Sequence, residues 1–269
     1  MIGASRDSLT KVQESLRSRA GQGDLSALSG QLLAVADVVA SEKSLRLLLA
    51  DNGQPAAIRS ALIGDVLGSR VDGVTHDVVT YVVSQRWSSD SDLVDALEIL
   101  GAQAAFITAD ANGTLDRVES DIFHFGRAVD ASAQLQMSLT DPALSAQAKA
   151  GIVNDLLQGK VDAQTVAVIS YFVSHLRARR VDAVISLLSE LAAAQRNQVV
   201  AQVRSVVALD ASQVQRLATA LTTITGKQVS VNVAIDPSVI GGISVKIGQV
   251  VIDGSVATRL ESARRTLQA

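Results

Sequence analysis

The sequence predicts an α+β protein: two tandem, mostly antiparallel α-helical bundles, copies of one unit of about ninety residues, followed by a small C-terminal β-α-β-β-α domain. Three observations predict it. The chain matches itself at a shift of ninety positions; its only prolines, Pro55, Pro142 and Pro237, leave long stretches open to helix; and its apolar spacing changes after about residue 197. The expected domains are 1–107, 108–196 and 197–269, with the helix over 90–107 a candidate to serve both bundles.

The first helix is expected over Ser5 to Arg19, where Leu9, Val12 and Leu16 fall on one side. Leu25, Leu28, Leu32, Val35 and Val39 give the second the same three-to-four spacing. A short turn follows at Leu45, Leu48 and Leu49. The next helix carries Ala57, Leu62, Ile63, Val66 and Leu67 and stops at Gly68. Thr75 to Gln85 and Asp90 to Ile107 complete the first copy.

Sliding the chain by ninety residues lays Gly23–Leu100 over Gly113–Glu190 without a gap. Leu45 meets Leu135, Leu49 meets Leu139, Asp51 meets Asp141, Asp65 meets Asp155 and Leu67 meets Leu157. The densest stretch sets VDGVTHDVVTYVVS (71–84) over VDAQTVAVISYFVS (161–174). In the second copy Asp141-Pro142 marks a turn, and Ser145 is placed to cap the helix holding Ile152, Val153, Leu156 and Leu157. Ile99, Ala102 and Phe106 stand ninety residues after Leu9, Val12 and Leu16. The last helix of copy one is therefore a candidate opening helix for copy two.

Beyond this the period shortens. NQVVAQVRSVVAL (197–209) reads as a strand. A helix is expected from Asp210 to a stop at Gly226, with Val214, Leu217, Leu221 and Ile224 inward. Val229, Val231, Val233 and Ile235 then alternate with polar or small residues, and Ile243, Val245 and Ile247 repeat the pattern after the Gly241-Gly242 turn. VVID follows the Gly248-Gln249 corner, and Ser255 is placed to cap a basic terminal helix.

Composition narrows the function. Hydrophobic residues reach 48% but aromatics only 3%, so the core is Ala, Val and Leu, and few rings are left for stacking on bases or sugars. A net charge of −3 argues against nucleic acid, which needs concentrated Lys and Arg. Without cysteine there are no disulfides or thiolate metal sites. No apolar run reaches the roughly 18 residues of a membrane span, and MIGASRDSLTK lacks the order of a signal peptide, so the expectation is cytoplasmic.

Sites of chemistry are weak. Gly241-Gly242 precedes a strand, whereas phosphate loops follow one and open a helix, so these glycines read as turn residues. Thr225-Gly226-Lys227-Gln228 lacks the upstream glycine and the Ser or Thr of a P-loop. Asp253-Gly254-Ser255 has no histidine near it, and the serine reads as a cap rather than a nucleophile. His76, His124 and His175 are scattered, without metal-ligand spacing. No catalytic, cofactor or metal residue is expected. HLRARR (175–180) and SARRTL (262–267) are the clearest basic stretches, either solvated helix ends or docking faces for an acidic helix. Trp87 stands where copy two has Arg177, as core filler or as exposed anchor.

The tail carries a longer signal. Ile240-Gly241-Gly242, Val245, Ile247-Gly248, Val251-Ile252-Asp253-Gly254-Ser255-Val256 and Arg259-Leu260 together resemble the C-terminal signature of the ATP synthase δ subunit family, whose mitochondrial relative is the oligomycin-sensitivity-conferring protein. GKQVSVNVAIDPSVIGG (226–242) is similar to the family's preceding run; Gln249 stands where an acidic residue is common. Residues 114–269 look like most of an ordinary member, and the additional bundle resembles the long δ subunits of actinobacteria.

The resemblance implies a non-catalytic stator subunit of a rotary proton-translocating ATP synthase, held peripherally at the cytoplasmic face of the cell membrane. It implies that the helical body grips the N-terminal helix of an α subunit, with a β subunit a further possibility, and that the tail binds b-type stalk subunits. The implied groove candidates are Leu9, Val12, Leu16, Val78 and Val82, with Val168 and Phe172 the equivalents in copy two; the stalk-docking candidates are Arg264 and Arg265. The competing readings are a general helical adaptor for amphipathic partner helices and a hydrolase using Ser255.

Overall fold

A computed structural model describes residues 1, 3–19, 26–195, 198–226, 228–237, 241–247 and 250–253. It divides into two compact units, Met1–Leu191 and Ala192–Ala269.

The first unit is helical: α1 (Ala4–Arg19), α2 (Ser26–Ser41), α3 (Lys43–Ala50), α4 (Ala56–Leu67), α5 (Gly73–Ser84), α6 (Asp90–Ala111), α7 (Leu115–Asp130), α8 (Ala133–Thr140), α9 (Ala146–Leu157), α10 (Ala163–Ser174) and α11 (Val181–Gln195), whose end runs past the unit boundary. The bounds of α8, α9 and α10 are those of α3, α4 and α5 advanced by ninety. The starts follow local chemistry. The hydroxyls of Ser89, Ser132 and Ser145 and the carboxylates of Asp72 and Asp162 accept the first free amides of α6, α8, α9, α5 and α10.

The core of α1–α6 is aliphatic: Val12, Leu16, Leu32, Val39, Leu49, Ile63, Val79, Val82, Leu93 and Leu97 pack around Trp87. Trp87 is 1% exposed and its indole Nε1 donates to the carbonyl of Val82 at 3.0 Å, so it is core filler and not an anchor. α6 runs unbroken through Gly101, and every residue from Ala96 to Ile107 is buried. A helix covered on all sides must have neighbours all round; α6 touches α1, α2, α3 and α5 as well as α7 and α10. Gly101 lets α2 come close, since a Cβ there would stand 2.6 Å from Leu33 Cδ2.

The second unit contains β1 (Gln198–Ser205), α12 (Ala211–Thr225), β2 (Gln228–Ile235), β3 (Ile243–Ile247) and β4 (Val250–Asp253). The strand order is β2-β1-β3-β4, with β1 and β2 parallel and the other pairs antiparallel. The parallel pair needs a crossover, and α12 supplies it. Asp210 and Gln213 form a reciprocal capping box at its start, and Gly226 at φ 67° closes it in the left-handed conformation. Ala201, Val203, Val229, Val245 and Leu221 form the core, with Leu217, Val231, Val233, Ile243 and Ile247 packed against it. Ile224, expected inward, is 70% exposed, and Val214 is half-buried outside this core. Leu217 and Leu221 carry the helix onto the sheet, with the Thr222 hydroxyl accepting the Val229 amide at 3.1 Å. The expected terminal helix lies outside the described residues.

Candidate functional site

The groove candidates lie on α1, α5 and α10, but mostly inside them. Val12, Leu16, Val78 and Val82 belong to the buried core of α1–α6, and Val168 and Phe172 are buried on α10. Of the seven only Leu9 is partly exposed. These side chains hold the helices together, and the accessible apolar residues on α5 are Val74 and Tyr81. Periodicity marks an apolar face without saying whether its own neighbours fill it.

In the tail, Gly241 and Gly242 have φ of 67° and 80°, the left-handed turn that glycine tolerates, leading into β3. Ile252 and Asp253 lie on β4, paired with Val245 and Ser244. Gly248, Gly254, Ser255, Arg259, Leu260, Arg264 and Arg265 lie outside the described residues.

The basic HLRARR stretch is not a free docking face. Glu98, 1% exposed in the middle of α6, accepts from Arg177 Nε at 3.1 Å and Arg177 Nη2 at 2.7 Å, and pairs with Arg179 Nη2 at 2.9 Å. Arg177 also reaches Asp95, and the Arg179 guanidinium lies 5.7 Å from the centre of the Phe172 ring. Burial opposes the charge on Arg177, but Glu98 and Asp95 outweigh it and raise its pKa. Burial, then the carboxylates of Glu98 and Asp37, push the Tyr171 phenol well above its usual value. Arg180 pairs instead with Asp182 at 2.9 Å. Sequence reading missed Glu98. The available signal was a carboxylate set between Leu97 and Ile99 on an otherwise apolar helix, a position that demands a partner.

No group of three or more His, Asp or Glu among the described residues could hold a metal ion. A cavity of about 100 Å³ lies between α6, α7 and the start of α10, lined by Phe106, Asn112, Asp162, Gln164 and Thr165 among others. A shallower one of about 390 Å³ lies open at the end of α8, beside Met137, Thr140, Pro142 and Leu144. No helix among the described residues is long and apolar enough to cross a membrane. What the described residues build is a helical scaffold and a small mixed sheet.

Comparisons with known proteins place this scaffold in a family of ATP synthase subunits. The model of the ATP synthase delta (OSCP) subunit family matches residues 102–267, more than half of the chain. ATP synthase subunit delta of Nocardia farcinica is 40% identical over 269 residues, covering 99% of this chain and 100% of that protein. Its counterpart in Streptomyces avermitilis is 39% identical over 267 residues, 98% of each chain. A chain in the cryo-EM structure of the Toxoplasma gondii mitochondrial ATP synthase hexamer is 24% identical, covers 64% of this chain and 98% of that one, and superposes with a TM-score of 0.39. The chain belongs to the ATP synthase delta (OSCP) subunit family. The family match begins inside α6, while the Nocardia relative also matches the helices that precede it.

Proposed function

We propose that this stator subunit of an ATP synthase ties the α/β catalytic head to the b-type stalk subunits and resists rotor torque, taking no part in catalysis itself. The observation that carries the reading is 40% identity along the whole of a relative described as ATP synthase subunit delta. In this reading the helical unit receives the N-terminal helix of an α subunit, and the tail, with Arg264 and Arg265, meets the stalk at the cytoplasmic face of the membrane. The helical unit is a duplication, 1–107 and 108–196, with α6 as the last helix of one copy and the opening helix of the other. The ninety-residue offset of α3–α5 and α8–α10 supports this, as does the burial of α6 on all sides.

Burial alters how the groove is probed. Val82→Asp would place a charge at a position that is 0% exposed, so lost binding would report a damaged core. Tyr81→Asp, on the same helix at 37% exposure, leaves the core intact. Co-purification of the full chain with α and b subunits from its own cell tests the reading. Recovery of both partners is expected, with α reduced and b retained in the Tyr81→Asp variant. Recovery of neither partner by the unaltered chain overturns it.

A further inference from the structure

Two corners of the helical unit stand at matching positions and are fastened by different chemistry. The α5–α6 corner (85–90) is held on α1 by serines. Ser8 Oγ donates to the carbonyl of Arg86 at 2.7 Å; Ser5 Oγ donates to Asp92 Oδ2 and accepts from the Ser88 amide, both at 2.7 Å. Ninety residues after Ser5 and Ser8 stand Asp95 and Glu98, and they fasten the α10–α11 corner (175–180). There one buried carboxylate, Glu98, serves two guanidiniums, one of them through a two-point fork.

The second corner is also under strain. Arg177 and Ala178 have φ of 46° and 65°, a left-handed pair of non-glycine residues. Such a backbone persists only where its surroundings over-determine it. The ties of Arg177 to Asp95 and Glu98 supply that constraint. A further tie reaches α2: His175 Nε2 lies 3.2 Å from Asp37 Oδ1, while its Nδ1 faces the Tyr171 carbonyl at 2.9 Å and its ring stacks on Tyr171 at 4.4 Å.

We propose that Glu98, Arg177 and Arg179 form an electrostatic latch, closed against the strained turn, and that the α10–α11 corner is where the helical unit opens first. Without the Glu98 charge both guanidiniums lose their common anchor. The turn then relaxes, and the end of α10 and the start of α11 leave α6 together. The α5–α6 corner is fastened apart from the latch, by Ser5 and Ser8 around a buried tryptophan, by Arg59 on the Gln85 carbonyl and by its own Arg46–Asp90 pair at 2.8 Å, and does not follow. The arginines are about one quarter exposed, at 25% and 24%, and Asp95 is 33% exposed, so dissolved salt reaches the latch.

The test is hydrogen–deuterium exchange with peptide-level mass spectrometry on the full chain, comparing the α10–α11 corner with the α5–α6 corner. In Glu98→Gln, protection over 171–184 is expected to fall about tenfold or more while 81–94 stays unchanged. Because this variant can also weaken the whole fold, the unaltered chain is measured at about 0.05 and 1 M NaCl. Salt is expected to lower protection at the second corner relative to the first, and Asp37→Asn to lower it about two- to threefold at low salt. Equal protection losses at both corners, or no response of the second corner to either salt or charge removal, overturns the latch.

Discussion

The helices α3–α5 and α8–α10 share a register offset by ninety residues, yet the first half of the helical unit and the second fill matching positions with different chemistry. Where the first half buries Trp87, the second has Arg177, part of an ion cluster. Where the first buries Arg59 at 4% exposure, the second buries Lys149 at 7%. Tyr81 faces solvent, whereas Tyr171 packs against the core of α1–α6. The difference teaches that a helical frame is specified by where apolar residues recur, and that its corners accept any chemistry able to satisfy the backbone and fill the space.

The largest expected effect is at Trp87. Trp87→Ala opens a cavity in the α1–α6 core and removes the donor to Val82, and should cost about 3–5 kcal/mol in urea unfolding. Arg177→Ala, at the matching position, leaves Glu98 with Arg179 and no cavity of that size; equal costs would mean that the corners are not fastened differently.

Arg59 comes next. Its guanidinium donates to the carbonyls of Leu49, Val83, Ser84 and Gln85 at 2.7–3.3 Å, closing the C-terminal ends of α3 and α5 together. Burial draws its pKa down, with Asp51 opposing, but the fork still supplies donors that a shorter-reaching ammonium cannot match. Arg59→Met should cost about 2–3 kcal/mol by calorimetry, and Lys149→Met clearly less. A larger loss at Lys149 would reverse this part of the comparison.

Ser8→Ala removes the donor to the Arg86 carbonyl and should cost about 1 kcal/mol, with faster exchange confined to the α5–α6 corner. The smallest effect is at Asp90, paired with Arg46 at 2.8 Å where the second half has Arg180. The hydrogen bond from Arg46 holds the Asp90 carboxyl below the usual carboxylate range. Its contribution is therefore complete above the unfolded value of about 4 and disappears as pH falls through the lower folded value. Partial exposure limits it to roughly 0.5 kcal/mol. Melting curves of the unaltered chain and Asp90→Asn should differ near neutral pH and converge in acid; a constant gap would assign the difference to something other than this charge.

Much of this was legible in advance. Ser145 caps α9, Asp210 opens α12 and Gly226 ends it, because capping depends on groups within a few residues of each other. Gly241-Gly242 was readable as a turn for the same reason. Ile224 was not: it is 70% exposed, while Leu221 and Thr222 of the same turn meet the sheet. The groove candidates show the same limit, since Val12, Leu16, Val78 and Val82 are apolar for the sake of their own bundle.

By itself the sequence determined most of the helices and strands and the ends marked by Ser145, Asp210 and Gly226, because propensity, capping and periodicity act over one or two turns. The strand read over 197–209 ends sooner, at Ser205. The tail signature added the family. Only the tertiary structure decided that α6 is enclosed on every side, that the strands run β2-β1-β3-β4, and that Arg177 and Arg179 of the basic stretch meet Glu98. The β1–β2 pairing joins residues 30 positions apart and the Arg177–Glu98 contact residues 79 apart, and no local pattern states which distant group will occupy a given face.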